Sequence, residues 1–191
     1  MKTDVVERAY RHEGESLLVE LEVRSPAQLF NTLDPSPFHE RDLADAAARY
    51  ILESLRDLHQ VEDVKLVVHI DDESSPDVEK EVSEAVHNHF RYLADSRSQE
   101  LRLLLSNGRL SLLIGLTFLV GCVGIAETVF RDSGITREMF REGLTIMGWV
   151  AMWRPIQVFL YDWWPIWRER RLCERIAAMP VEVRRGVTRA G

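Results

Sequence analysis

The uncharged run Leu110 to Ala126 (LSLLIGLTFLVGCVGIA) restricts this chain more than any other feature. With Glu127-Thr128-Val129-Phe130 appended it reaches the ~20 residues that cross ~30 Å of hydrocarbon, so 110–130 reads as a transmembrane helix. The competing reading, a buried core helix, asks a chain of 191 residues to enclose a long apolar rod. A second stretch, Gly143 to Tyr161 (GLTIMGWVAMWRPIQVFLY), is apolar but carries Arg154, Pro155 and Gln157. On insertion scales a Leu, Ile, Phe or Val contributes roughly −0.3 to −0.6 kcal/mol, and a central Arg costs about +2.5 to +3.5 kcal/mol. The apolar side chains of 143–161 therefore little more than cancel its arginine, and a helix so poised needs partners in lipid.

Charge divides the chain at the first span. Met1 to Leu105 holds 23 Asp and Glu against 12 Lys and Arg, a net of −11, whereas Ser106 to Gly191 holds 8 against 12, a net of +4. An acidic soluble domain joined to a basic membrane-contacting part fits this asymmetry, and the acidic domain argues against nucleic acid as a partner. Arg97, Arg102 and Arg109 precede the first span, and Arg168, Arg170, Arg171 and Arg175 follow the second. The intervening loop carries only Arg131, Arg137 and Arg141. The bias places both termini in the cytosol, and Met1 to Arg8 is too charged for a signal peptide.

The soluble part reads as a small α/β or α+β domain of βαβα order. Leu17, Val19, Leu21 and Val23 alternate with polar neighbours, the period of a half-buried strand, and Val64 to Ile70 is a second strand. Ser25-Pro26-Ala27-Gln28 predicts an N-cap, a helical proline and a capping-box Gln opening a short helix through Leu33. Helical spacing then recurs from Phe38 to His59, and Ser75-Pro76-Asp77 starts a helix running toward Leu105, interrupted by Asn107-Gly108. A crossover of this length predicts parallel strands. Two strands alone are marginal, so either residues 3–12 add an antiparallel strand through Glu13-Gly14 or another subunit completes the sheet. The predicted divisions are 1–75, the domain; 76–109, a long helix or stalk; 110–161, a two-helix transmembrane hairpin; and 162–191, a basic juxtamembrane tail.

Ionisable residues at membrane depth are the default place to seek function. Arg154 lies about 9 Å inside the cytosolic boundary at 1.5 Å per residue. It either snorkels to the interface or, with Gln157 and Asp162, forms an intramembrane polar or assembly site. Arg154 and Asp162 share a face at i and i+8, a spacing too long for contact within one helix, so the expected counter-charge is a neighbouring subunit or an anionic headgroup. Tyr161, Trp163, Trp164 and Trp167 read as an interfacial aromatic belt, and Arg168, Arg170, Arg171 and Arg175 as headgroup contacts on an amphipathic tail helix, 167–179. Thr117/Gly121, Cys122/Ala126 and Gly124 supply small residues for close helix packing.

Catalytic, metal and cofactor patterns are not found. His12, His39, His59, His69, His87 and His89 are scattered, Cys122 and Cys173 have neither disulfide nor metal-ligand spacing, and Asp71-Asp72-Glu73 reads as a solvated turn. No phosphate loop, dinucleotide fingerprint or nucleophile elbow occurs.

Trp153-Arg154-Pro155-Ile156-Gln157-Val158-Phe159-Leu160-Tyr161-Asp162-Trp163-Trp164-Pro165 and Leu33-Asp34-Pro35-Ser36-Pro37-Phe38-His39-Glu40-Arg41-Asp42-Leu43 resemble the two motifs of a family of uncharacterised bacterial inner-membrane proteins. The resemblance covers most of the chain. It implies a bacterial inner membrane, a cytosolic N-terminal α/β domain and a two-helix hairpin, and no mechanism. The expectation is a homo-oligomeric scaffold or partner-binding protein contacting anionic lipid and an unidentified protein. Alternatives are a channel or transporter subunit with Arg154 and Asp162 near its path, and a membrane-tethered ligand sensor.

Overall fold

The structure, a computed structural model, describes residues 10–14, 16–30, 43–58, 61, 63–71, 77–129 and 135–185. It is a mixed α+β protein in two compact units, the first formed by residues 1–95 and 170–191, the second by 96–169.

In the first unit four strands lie side by side in chain order: β1 (Arg11–Glu13), β2 (Ser16–Val23), β3 (Val64–Ile70) and β4 (Val181–Arg185). β1 runs antiparallel to β2, with Arg11 opposite Leu18, and Gly14 turns the chain at φ +65°, a conformation that favours glycine. The expected N-terminal strand is thus present at 11–13; residues 3–9 lie outside the described residues. β2 and β3 are parallel, Val19 beside Leu66 and Val23 beside Ile70, as the length of their crossover predicts. β4 pairs parallel to β3, Leu66 with Val181 and Ile70 with Arg185. The sheet is therefore completed by the chain's own C-terminal segment, and the need for a second subunit to complete it disappears.

One face of the sheet, Leu17, Val19, Val64, Leu66, Val68 and Ile70, meets the helices. α1 (Asp45–Asp57) supplies Ile51 and Leu55, and the first turns of α2 (Asp77–Val129) supply Val82, Ala85, Val86 and Phe90. Spacing of three and four residues puts each set on one stripe. The stretch 76–109, expected as a long helix or stalk, is helical from Asp77, and up to Ala94 this helix packs in the core; residue 76 lies outside the described residues. The expected Ser25–Leu33 helix is a 3-10 turn, Pro26–Leu29, in which Gln28 Oε1 accepts the Arg24 N–H at 3.0 Å; residues 31–42 lie outside the described residues.

The tail departs most from expectation. α5 (Trp163–Ile176) ends with Cys173 and Ile176 in the core, 1 % and 0 % exposed, and Met179 follows them in. Arg175, read as a headgroup contact, instead donates to the Leu58 carbonyl at 3.3 Å and to the Val61 carbonyl. The His87 imidazole meets the Met179 carbonyl at 2.8 Å. Burial of Cys173, Ile176 and Met179 outweighs the local charge that suggested a lipid-facing flank: each fully buried aliphatic side chain contributes roughly 1.5–3 kcal/mol.

Candidate functional site

Within the second unit α2 continues without a break through Asn107 and Gly108 to Val129. A glycine inside a helix costs about 1 kcal/mol, but Gly108 is buried against Val158, where a Cβ would lie 2.7 Å from Cγ1. Of the most apolar 18-residue stretch of α2 only 17 % is buried, and Leu113, Ile114 and Val120 are each at least 60 % exposed. The core helix of a soluble protein hides such side chains, so this exposure favours the membrane reading of the run.

The segment 143–161, expected as one span, is not one regular helix. α3 (Ile135–Ala151) stops at a turn at Met152, α4 (Trp153–Gln157) follows, and Val158–Asp162 winds as a π-helix before α5. Pro155 explains the break: it has no N–H for the Ala151 carbonyl one turn earlier. That oxygen faces Gly115, where a Cβ would stand 2.9 Å from it. Only a glycine admits so close an approach, and its Cα–H groups give the oxygen a weak partner. Gly148 is closed in likewise, by Leu119 and Cys122.

Gly108, Gly115 and Cys122 therefore recur every seven residues along one stripe of α2, the repeat that keeps a seam facing a neighbouring helix. Their partners run in the opposite order, Val158, Ala151 with Met152, and Gly148. Arg97 Nε also reaches Glu169 Oε2 at 3.2 Å. The packing residues expected from sequence are only partly these. Cys122 is buried, but Gly121 and Gly124 have open space beside them, and Thr117 turns its hydroxyl back to the Leu113 carbonyl. Of the two small-xxx-small pairs, Cys122/Ala126 is buried, at 5 % and 1 % exposed, whereas Thr117/Gly121 is not.

Arg154 Nη1 lies 3.3 Å from Asp162 Oδ2 within the chain. In a regular α-helix a spacing of eight residues is too long for this contact. The π-turn between them and the flexible arginine stem, which extends toward the C-terminal end of its helix, close the gap. Gln157 is exposed one turn from Arg154. The three tryptophans cluster, Trp163 to Trp164 at 5.4 Å and Trp164 to Trp167 at 5.6 Å between ring centroids, while Trp163 Nε1 donates to the Phe159 carbonyl of the π-turn at 2.8 Å. Tyr161 is exposed, and Arg168 stacks over Trp164 at 5.1 Å. Arg170 pairs with Glu174 at 2.8 Å, and Arg171 is exposed.

Two further features belong to the first unit. A cleft of about 260 Å³ lined by Ser16, Asp63, Lys65, Arg175 and Pro180 lies at the N-terminal ends of β2, β3 and β4. Ligands of open parallel sheets favour the carboxyl ends, and Arg175 is committed to two carbonyls, so the cleft gives the sensor reading little support. The sheet face away from the helices carries Arg11, Glu20 and His69, joined at 3.5 and 3.1 Å. On the same face Arg184 bridges Glu182 at 2.9 Å and Glu13 at 2.5 Å. Hydrogen bonding from Arg184 holds the Glu182 carboxyl below its ordinary 4.5 and raises the guanidinium correspondingly. Among the described residues no three His, Cys, Asp or Glu side chains cluster as metal ligands.

Fold and segment together define a mixed α+β protein carrying one helix long and apolar enough to cross a membrane. Compared with models of protein families, with curated proteins and with solved structures, the chain has no match. The inner-membrane family likeness rests on its two motifs alone.

Proposed function

We propose that this chain is a homo-oligomeric scaffold of a bacterial inner membrane, displaying its α+β domain in the cytosol from a two-helix transmembrane hairpin. The observation that carries the reading is that one hydrophobic core joins Phe90, ahead of the apolar run, to Ile176, behind it. A single core cannot be assembled from residues on opposite sides of a bilayer. With 110–129 across the membrane, the chain must therefore cross again before Arg170, and 135–161 is the stretch long enough to do so. Its broken backbone is tolerable at that depth because the orphaned Ala151 carbonyl lies against Gly115 rather than lipid.

The Arg154–Asp162 pair favours the scaffold over the channel, since the arginine already has a counter-charge and does not need one from a neighbouring subunit. Self-association is suggested by the exposed apolar faces of the second unit.

Protease-cleavable tags at the two ends, probed in inside-out vesicles, test the topology. Both tags should be cut, and Ser133→Cys should react with an impermeant maleimide only from the opposite side. Tags cut on opposite sides, or a product extracted by alkaline carbonate, would refute the reading.

A further inference from the structure

We infer that the outer edge of β4 is a homodimer interface, where two copies pair β4 antiparallel about a twofold axis through Val183. The inference rests on the homo-oligomeric part of the reading above and names the surface that performs it. The Leu66 N–H donates to the Pro180 carbonyl at 3.0 Å, and Leu66 is in register with Val181. The backbone groups of Glu182 and Arg184 consequently point to β3, while the N–H and C=O of Val181, Val183 and Arg185 point away from the sheet. Among the described residues no strand meets them. The opposite edge is treated differently, because β1 covers the start of β2 and the Tyr50 hydroxyl donates to the outward Glu20 carbonyl at 3.1 Å.

Charge then selects the partner and the register. A twofold at Glu182 or at Arg184 would set like charges directly opposite one another. A twofold at Val183 pairs Val183 with Val183 and Val181 with Arg185 through hydrogen bonds. It also sets Glu182 opposite Arg184 of the second copy at the non-hydrogen-bonded positions, where Cα atoms approach to about 4.5 Å and side chains are closest. Arg184 and Glu182 already pair within each chain on this face, so association joins two pairs into a ring of alternating charge. An unrelated strand would have to reproduce this sequence of charges, whereas a second copy does so by symmetry.

Native mass spectrometry of the full chain in mild detergent tests the interface. Wild type should be dimeric. Glu182→Arg alone should weaken association about tenfold or more, and so should Arg184→Glu alone. Mixing the two single variants should restore dimers as heterodimers only, a result independent of how either substitution affects its own domain. Val183→Pro removes an outward N–H and leaves the β3 ladder intact, so it should yield a folded monomer by circular dichroism. Oligomers indifferent to all four conditions would overturn this interface and leave assembly to the membrane segment. A monomer of wild type at every concentration would overturn the interface and the homo-oligomeric reading together.

Discussion

Ile176→Ala isolates the claim that the C-terminal tail is part of the folded domain. Ile176 is fully buried in the cluster formed by the sheet, α1 and the start of α2. Truncating such an aliphatic side chain removes its transfer free energy and leaves a partly collapsed cavity, costing 2–5 kcal/mol in general and about 3 kcal/mol here. Domains of this class are stable by roughly 5–15 kcal/mol, so the loss is about a fifth to three fifths of the total. The five tryptophans all lie between Trp149 and Trp167, outside the domain, so their fluorescence does not report it. Hydrogen exchange followed by mass spectrometry does. Amides of β3, including the Leu66 N–H bonded to Pro180, should exchange roughly a hundredfold faster, since each 1.4 kcal/mol is a factor of ten. Arg170→Ala on the same helix breaks a part-exposed pair with Glu174 and should change exchange less than about fivefold. A tail lying on headgroups predicts no difference between the two substitutions, and a change below about twofold in Ile176→Ala would refute its place in the core.

Gly115→Ala should push the two packed helices of the second unit apart, because its Cβ would fall 2.9 Å from the Ala151 oxygen; a loss of about 1–3 kcal/mol is expected by denaturant melts in mild detergent, against none for Gly121→Ala, which faces open space. Arg175→Met removes the Arg175 donor from the Val61 carbonyl and leaves the Leu58 carbonyl only the Val61 N–H, and should cost about 1–3 kcal/mol by denaturant melts; Arg175→Lys should recover little, since one ammonium cannot reproduce the fork. Glu182 has a folded pKa below its unfolded value, so its stabilising pairing is complete above about 4.5 and fades as pH falls through the depressed value; stability measured from pH 6 to pH 3 should drop less in Glu182→Gln than in wild type.

What was legible in the sequence was what short-range periodicity encodes. The alternation Leu17 to Val23, the apolar run Val64 to Ile70 and the uncharged stretch from Leu110 each announce an element without knowledge of the rest. β4 was not legible because its five residues, VEVRR, carry three charges and only two inward valines. Its partner β3 lies more than a hundred residues earlier, and no local signal records that distance. The tail helix was legible but its destination was not: Arg168, Arg170 and Arg171 dominate the composition of α5, while Cys173 and Ile176, with Met179 just beyond it, do the packing. At the polar site the residue types were found and the pairing was not, since the Arg154–Asp162 contact depends on a π-turn that no sequence period marks.

The distance between β3 and β4 has a consequence for folding. The apolar run leaves the ribosome before Cys173, Ile176 and β4 exist, so under the proposed topology membrane insertion precedes closure of the domain. Until the tail arrives, β3 has an open edge and the side of the core against Phe90 lacks its last layer. Loop closure over this separation is slow, but the entropic cost grows only as the logarithm of loop length, and the proposed hairpin would bring the ends together. Under the proposed topology, a chain that crossed the membrane once would deliver β4 to the wrong side and leave that core unfinished, so correct topology and a protected β3 would be the same event. A chain ending after Tyr161 should therefore insert normally yet show unprotected β3 amides, and adding residues 162–191 as a separate peptide on the cytosolic side should restore protection. Full protection in the shortened chain would show that the N-terminal strands and helices close without the tail, and the topological argument built on Ile176 would fall with it.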